Sequence, residues 1–240
     1  MNTITNDIRV MTSGAFTAAY LELIPRLELL TKKKLVTAAT SIGTGETSIP
    51  SRLRRGEPVD VVIVADAVLI GFINEKLIIA DSYTPLARSA IGMAVRDGAP
   101  KPDISTVDAL KQMLLQAKSI AYSASVSGDY LSNELLQRLG IANQVLSKCR
   151  RIEGGERVGA VVARGEAEIG FQQMSELLPV PGIAHITPLP PAVQKVSLFS
   201  AGVAVSTSDT HAAYSVIKFL ASLEAVNAIT KSGLEPITSR

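Results

Sequence analysis

Three short stretches place hydroxyls at the start of a helical pattern: Ser13-Gly14, Thr47-Ser48 and Ser127-Gly128. The first N–H groups of a helix lack intrahelical acceptors, and the aligned peptide dipoles make that end partly positive, so such stretches suit an oxyanion or a carboxylate. Each taken singly is read equally well as an N-cap. Two further stretches add charge. Gly154-Gly155-Glu156-Arg157 sets a guanidinium at a predicted helix start, where it can hold a carboxylate through two parallel hydrogen bonds. On a solvated face it would instead pair with Glu156 or Glu166. In Thr44-Gly45-Glu46-Thr47-Ser48 a carboxylate stands among small residues. Beside a bound anion it needs an arginine or a proton, which would tune it for proton transfer; the other reading is a first-turn acid favoured by the helix dipole.

Other chemistries find no support. Cys149 is the only cysteine and has Lys148, Arg150 and Arg151 beside it. Basic neighbours can lower a thiol pKa, but with no histidine adjacent the residue reads as a plain strand cysteine. The two histidines, His185 and His211, are far along the chain from the hydroxyl stretches, and no zinc spacing, Walker sequence or dinucleotide glycine fingerprint occurs. No metal and no cofactor is called for.

The 240 residues are 47% hydrophobic with a formal net charge of +2, and acidic and basic residues are interleaved. That argues against a nucleic-acid partner. A 4% aromatic content without Trp gives no stacking platform, and no apolar run has the length of a membrane span, so no membrane insertion is expected. Lys32-Lys33-Lys34 reads as a solvated face. A small polar anion, bound by local groups, is the ligand class left.

These residues need a scaffold, and a duplicated signature supplies its outline. Arg55-Gly56-Glu57 and Arg164-Gly165-Glu166 each end an amphipathic stretch and lead into an apolar run of strand length. Glycine can take the left-handed conformation that closes a helix, and the run after it suits a buried parallel strand. In such sheets ligands bind beyond the C-terminal strand ends, so both copies point to that edge. Strand patterns at 8–12, 35–39 and 59–65 alternate with helical ones at 16–30, 49–55 and 67–75, with Pro25 expected to kink or restart the first helix. The theme repeats after residue 119. Two α/β lobes follow, residues 1–87 with 203–240 and residues 88–202, and two crossings, near Ala87-Ile91 and Leu198-Val203, are expected to form a hinge that closes a cleft on the ligand.

The stretch Met11-Thr12-Ser13-Gly14-Ala15, the run from Arg52 to Ile63 and the run from Val162 to Gly170 together resemble the periplasmic molybdate-binding proteins, and the likeness extends to Gly233-Leu234-Glu235-Pro236. The resemblance implies a two-lobed, periplasmic-binding-protein-like type II fold and a substrate-binding role for an ABC importer of molybdate, tungstate or a small organic anion. It implies ligand contacts from Ser13, Gly14, Thr47, Ser48, Ser127 and Gly128. The chain departs from the family pattern in two places: Gln172-Gln173 stands where a tyrosine is usual, and Arg157 falls in a loop that otherwise offers neutral donors. Both departures favour a polycarboxylate, with Arg157 and Gln173 added to the contacts. They fit the enzyme branch of the same fold, aconitate isomerase, in which Glu46 or Glu156 would carry the proton. A monomer is expected. No hydrophobic signal segment precedes the first strand, which leaves a cytoplasmic protein or a mature periplasmic domain with Met1 in place of a removed signal.

Overall fold

Val61-Val62-Ile63-Val64-Ala65 is buried at every position, and a run this short, apolar and β-branched is stable only as a strand covered on both faces. It is one of several in the computed structural model, which describes residues 7–39, 41–43, 45–153 and 155–238. The strands are β1 Ile8–Thr12, β2 Leu35–Ala39, β3 Val61–Ala65, β4 Thr84–Ser89, β5 Ile91–Arg96, β6 Ile120–Ser123, β7 Cys149–Ile152, β8 Ile169–Gln173, β9 Ile183–Pro188, β10 Ser197–Val203 and β11 Glu235–Pro236. They form one sheet in the order β11-β4-β10-β3-β1-β2 and another in the order β7-β6-β8-β5-β9.

The described residues fall into two units. Unit 1 runs to Arg88 and resumes at Leu198; unit 2 is Ser89–Ser197. Residues 198–202, which the sequence pattern gives to the second lobe, run in β10 and pair antiparallel with β3, Phe199 opposite Ala65 and Val203 opposite Val61. In unit 1 the helix Gly14–Thr31 buries Phe16, Tyr20, Leu23 and Leu27 in a core shared with Val10, Val61 and Val216. Pro25 lies inside this helix without ending it. The carbonyl it leaves without a donor belongs to the exposed Leu21, where water can serve. No single helix among the described residues is long and apolar enough to cross a membrane; the bent pair Thr210–Leu220 and Leu223–Lys231 passes on composition, and it lays its apolar residues into the unit 1 core.

The duplicated signature folds as its chemistry dictates. Gly56 and Gly165 both have φ of 76°, and the N–H groups of Glu57 and Glu166 reach back to Arg52 O at 3.2 Å and Val161 O at 3.1 Å, which closes each helix. The acids then bind arginines: Glu57 takes Arg52 and, at 3.6 Å, Arg9 of β1, while Glu166 takes Arg164 at 2.5 Å and Arg150 of β7 at 3.2 Å.

Candidate functional site

In unit 1, β1 pairs in parallel with β2 and β3, so the three C-terminal ends share one edge of the sheet. Ser13 follows β1 and is the N-cap of the helix Gly14–Thr31. Its N–H donates to Ile63 O at 2.7 Å, which locks the turn, and its own carbonyl accepts from Thr17 Oγ1 at 2.9 Å. Its hydroxyl is buried and has no hydrogen-bond partner among the described residues. A buried, unpaired hydroxyl costs free energy, and one at the positive end of a long helix suits an anionic ligand. Gly14, the first helical residue, is half-buried.

The second hydroxyl stretch differs. Ser48 is buried, but its hydroxyl accepts from Ser51 N at 3.4 Å and contacts Ser51 Oγ at 3.1 Å, so it caps the helix Ile49–Arg54. Thr47 and Glu46 are exposed, and Thr44 lies outside the described residues. At the end of β3 stands Asp66, one oxygen of which accepts from both Tyr83 Oη and Ser200 Oγ at 2.7 Å. That bond holds the Tyr83 phenol protonated by raising its pKa.

Unit 2 presents a similar edge where the parallel strands β6, β7 and β8 end. After β6, the hydroxyls of Ser123, Ser125 and Ser127 form a ring, 2.8 Å from Ser123 to Ser125, 3.0 Å from Ser123 to Ser127 and 3.2 Å from Ser125 to Ser127. Gly128 makes that ring possible. A Cβ on it would stand 1.7 Å from Ser123 O, so only glycine lets the helix begin this close to the strand end. The helix Val126–Tyr130, which begins four residues earlier than its apolar pattern indicates, continues through a π turn at Leu131–Leu135.

Beyond β7, Glu156 and Arg157 are both exposed, and Gly154 lies outside the described residues. The Glu156 carboxylate is held by Arg164 at 2.5 Å, and Arg164 also takes Glu166 at 2.5 Å. The pairing open to Arg157 thus falls to Arg164, and Arg157, N-cap of the helix Val158–Ala163, makes no ion pair among the described residues. The two glutamines that end β8, Gln172 and Gln173, are both buried. With its amide turned to suit its neighbours, Gln173 donates to Ser89 Oγ at 2.9 Å and accepts from Ser197 Oγ at 3.0 Å, binding together the two strands through which the chain enters and leaves unit 2.

Gln172 joins two groups that sequence reasoning left apart. Its Oε1 accepts from Val158 N at 3.0 Å, and its Nε2 donates to Glu176 Oε1 at 2.9 Å. Glu176, on the helix Met174–Leu177, is half-buried as a residue while its carboxyl lies among protein groups; burial pushes its pKa up to about 7, against the downward pull of the Arg157 charge and the Gln172 amide. Two glycines permit the arrangement. A Cβ on Gly92 of β5 would meet Met174 Sδ at 2.3 Å, and one on Gly170 of β8 would meet Val158 Cγ1 at 2.6 Å. Its place after a strand end marks this segment in the sequence, but nothing in the neighbours of Glu176 marks it as buried.

Cys149 donates to Val145 O at 3.3 Å and burial pushes its thiol up to about 11, so it is no nucleophile at neutral pH. His185 Nε2 meets Pro102 O at 2.9 Å, and among the described residues no group of three or more His, Cys, Asp or Glu side chains gathers as metal ligands do. A largely apolar cavity of about 410 Å³, lined by Val95, Met113, Glu168 and Ile169, lies where β8 begins, at the other end from these groups.

The geometry has close relatives. The sequence profile of a family described as bacterial extracellular solute-binding protein matches residues 8–235. An aconitate isomerase of Pseudomonas sp is 43% identical over 234 residues, which cover 97% of this chain and 89% of that protein. Among solved structures, the periplasmic molybdate-binding protein of Azotobacter vinelandii superposes with a TM-score of 0.77 at 18% identity, over 97% of this chain and 100% of that one. The sulfate-binding protein SubI of Mycobacterium tuberculosis H37Rv does so with a TM-score of 0.72 at 15% identity, over 97% and 87%. At those identities the likeness is one of fold, the two-lobed fold of the periplasmic binding proteins. The profile spans nearly the whole chain, and this protein belongs to the bacterial extracellular solute-binding protein family.

Proposed function

We propose that this chain is an aconitate isomerase, interconverting the trans and cis tricarboxylates by moving one proton along a three-carbon unit, and that it works in the periplasm. The observation that carries the reading is the 43% identity to the Pseudomonas isomerase over 97% of this chain. The chemistry at the strand ends agrees with it. An allylic shift starts when a base takes a proton from the methylene carbon; negative charge then spreads over the three carbons and the attached carboxylates, and the same proton count is restored when the far carbon is protonated. No electrons are gained or lost, so the reaction calls for no redox cofactor.

A tricarboxylate needs several anion-binding groups and one cation. In unit 1, Ser13 stands at the start of an 18-residue helix with a buried hydroxyl that has no partner among the described residues, and it suits an anionic group. In unit 2, the hydroxyl ring of Ser123, Ser125 and Ser127 and the guanidinium of Arg157, which makes no ion pair among the described residues, suit carboxylates. Gly14 and the N–H groups at the start of the helix Val126–Tyr130 add backbone donors.

The test is to incubate the protein with trans-aconitate, follow the cis isomer by chromatography, and compare the thermal shifts given by aconitate, molybdate and tungstate. Turnover, with a larger shift from the tricarboxylate than from molybdate, is the expected result. A molybdate or tungstate shift without turnover would identify instead the binding component of an ABC importer.

A further inference from the structure

We propose that Glu176 is the catalytic residue that carries the proton between the two allylic carbons, with Gln172 as its positioning residue. The assignment rests on the isomerase reading and deepens it.

The first support is placement. β6, β7 and β8 are parallel, so the hydroxyl ring after β6, Arg157 after β7 and Glu176 after β8 all stand at the same edge of one sheet. Anion-holding groups and a carboxylate at one edge are the set that a proton shift α to a carboxylate demands. The second is fixation. A shuttle must reach two carbons in turn without drifting, and Gln172 holds Glu176 by one oxygen while its own carbonyl is held by Val158 N. The other Glu176 oxygen has no such bond among the described residues, and it is the atom that takes and returns the proton. In the first half-step a substrate C–H bond breaks and an O–H bond forms on Glu176 as the π bond migrates; in the second, that O–H bond breaks and a C–H bond forms at the far carbon.

The third support is electrostatic. Glu176's helix packs against β5, β8, β9 and the helix Val158–Ala163. On β5 the charged residue is Arg96, which lies beside Gly165 at the far end; on β9, His185 turns its ring to Pro102. Arg157 is therefore the charge that acts on Glu176, while burial acts in the opposite sense. A carboxyl balanced this way titrates where a physiological base must. Glu46 is exposed, and Glu156 is exposed and bound to Arg164.

Glu176→Gln tests the assignment in the full chain. It should lose at least about a hundredfold in turnover of trans-aconitate, bind it within about tenfold of the parent, and stop washing deuterium into aconitate in heavy water. Gln172→Leu serves as the second variant, since it frees the carboxyl while leaving it in place. It should move the acidic limb of the pH profile to higher pH, a readout that simple loosening of the fold would not give. Full turnover in Glu176→Gln, or an unmoved limb in Gln172→Leu, overturns the assignment while the isomerase reading stands, and returns the role to Glu46 or Glu156. A parent without turnover overturns both.

Discussion

Gln172 Nε2 donates to Glu176 Oε1 at 2.9 Å, and through its other amide atom the same glutamine accepts from Val158 N at 3.0 Å. One side chain therefore couples a helix start that bears a guanidinium to a carboxyl that burial lifts to about 7. The amide favours the charged form of the acid by donating to it, and Arg157 favours it by charge, yet desolvation outweighs both.

The pH profile follows. As base, Glu176 must be ionised, so kcat/KM should climb as pH rises through about 7 and level off above it. Initial rates from pH 5 to 9 measure the limb. A limb near 4.5, the ordinary range for an exposed glutamate, would point to a different base.

Stability should carry the same signature with the opposite slope. Because the folded state raises the Glu176 pKa, the native protein holds a proton that the unfolded chain has released, and stability falls as pH rises from the ordinary glutamate range through about 7. Glu176→Gln removes that proton. Its unfolding free energy should match the parent's near pH 4.5 and exceed it at pH 8 by an amount on the order of 3 kcal/mol. Parallel curves across this range would show that the carboxyl is better solvated than its surroundings indicate.

Much of this was legible in the sequence and some could not have been. The two Arg-Gly-Glu signatures gave the helix ends and the strands that follow, because a left-handed glycine and a β-branched run are local facts. Ser13 and Arg157 were legible for the same reason: each sits where a helix starts. Glu176 was not, since its character comes from Gly92 and Gly170 on neighbouring strands, which let two helices sit close enough to bury it. Gln173 reads as a ligand contact by position, and it lies buried with its amide engaged by Ser89 and Ser197, residues remote from it in sequence. Gly128, read as an anion-binding glycine, faces a strand carbonyl.

That last point makes its own prediction. Gly128→Ala places a methyl group 1.7 Å from Ser123 O, a backbone atom that cannot turn away. The helix start must shift, breaking the hydroxyl ring, at a cost of about 3 kcal/mol in stability by denaturant unfolding. A variant as stable as the parent would mean that the helix start moves freely.

Ser13 predicts the reverse pattern. Its buried hydroxyl has no partner among the described residues, so Ser13→Ala removes an unsatisfied group and should leave the melting temperature unchanged or slightly raised. Tricarboxylate affinity should fall by roughly tenfold, about one hydrogen bond to a charged group. Calorimetric titration and a thermal scan on the same sample separate the two effects; loss of stability without loss of affinity would make Ser13 a purely structural cap.

Arg157 makes two contributions that a pair of variants can divide. It is exposed and makes no ion pair among the described residues, so Arg157→Lys, which keeps the charge, should leave folding stability almost unmoved. Arg157→Lys keeps the positive charge but loses the planar fork, and should weaken tricarboxylate binding by about 1.5–3 kcal/mol with the acidic limb of the pH profile in place. Arg157→Ala loses the charge as well. Since that charge draws the Glu176 pKa downward, its removal lets desolvation act unopposed by it, and the limb should move to higher pH in addition to the loss of affinity. Measuring Kd by titration and kcat/KM against pH for both variants distinguishes the roles. If Arg157→Ala binds as tightly as the parent and keeps its limb, the guanidinium is a solvated surface group and the carboxylate must be held elsewhere.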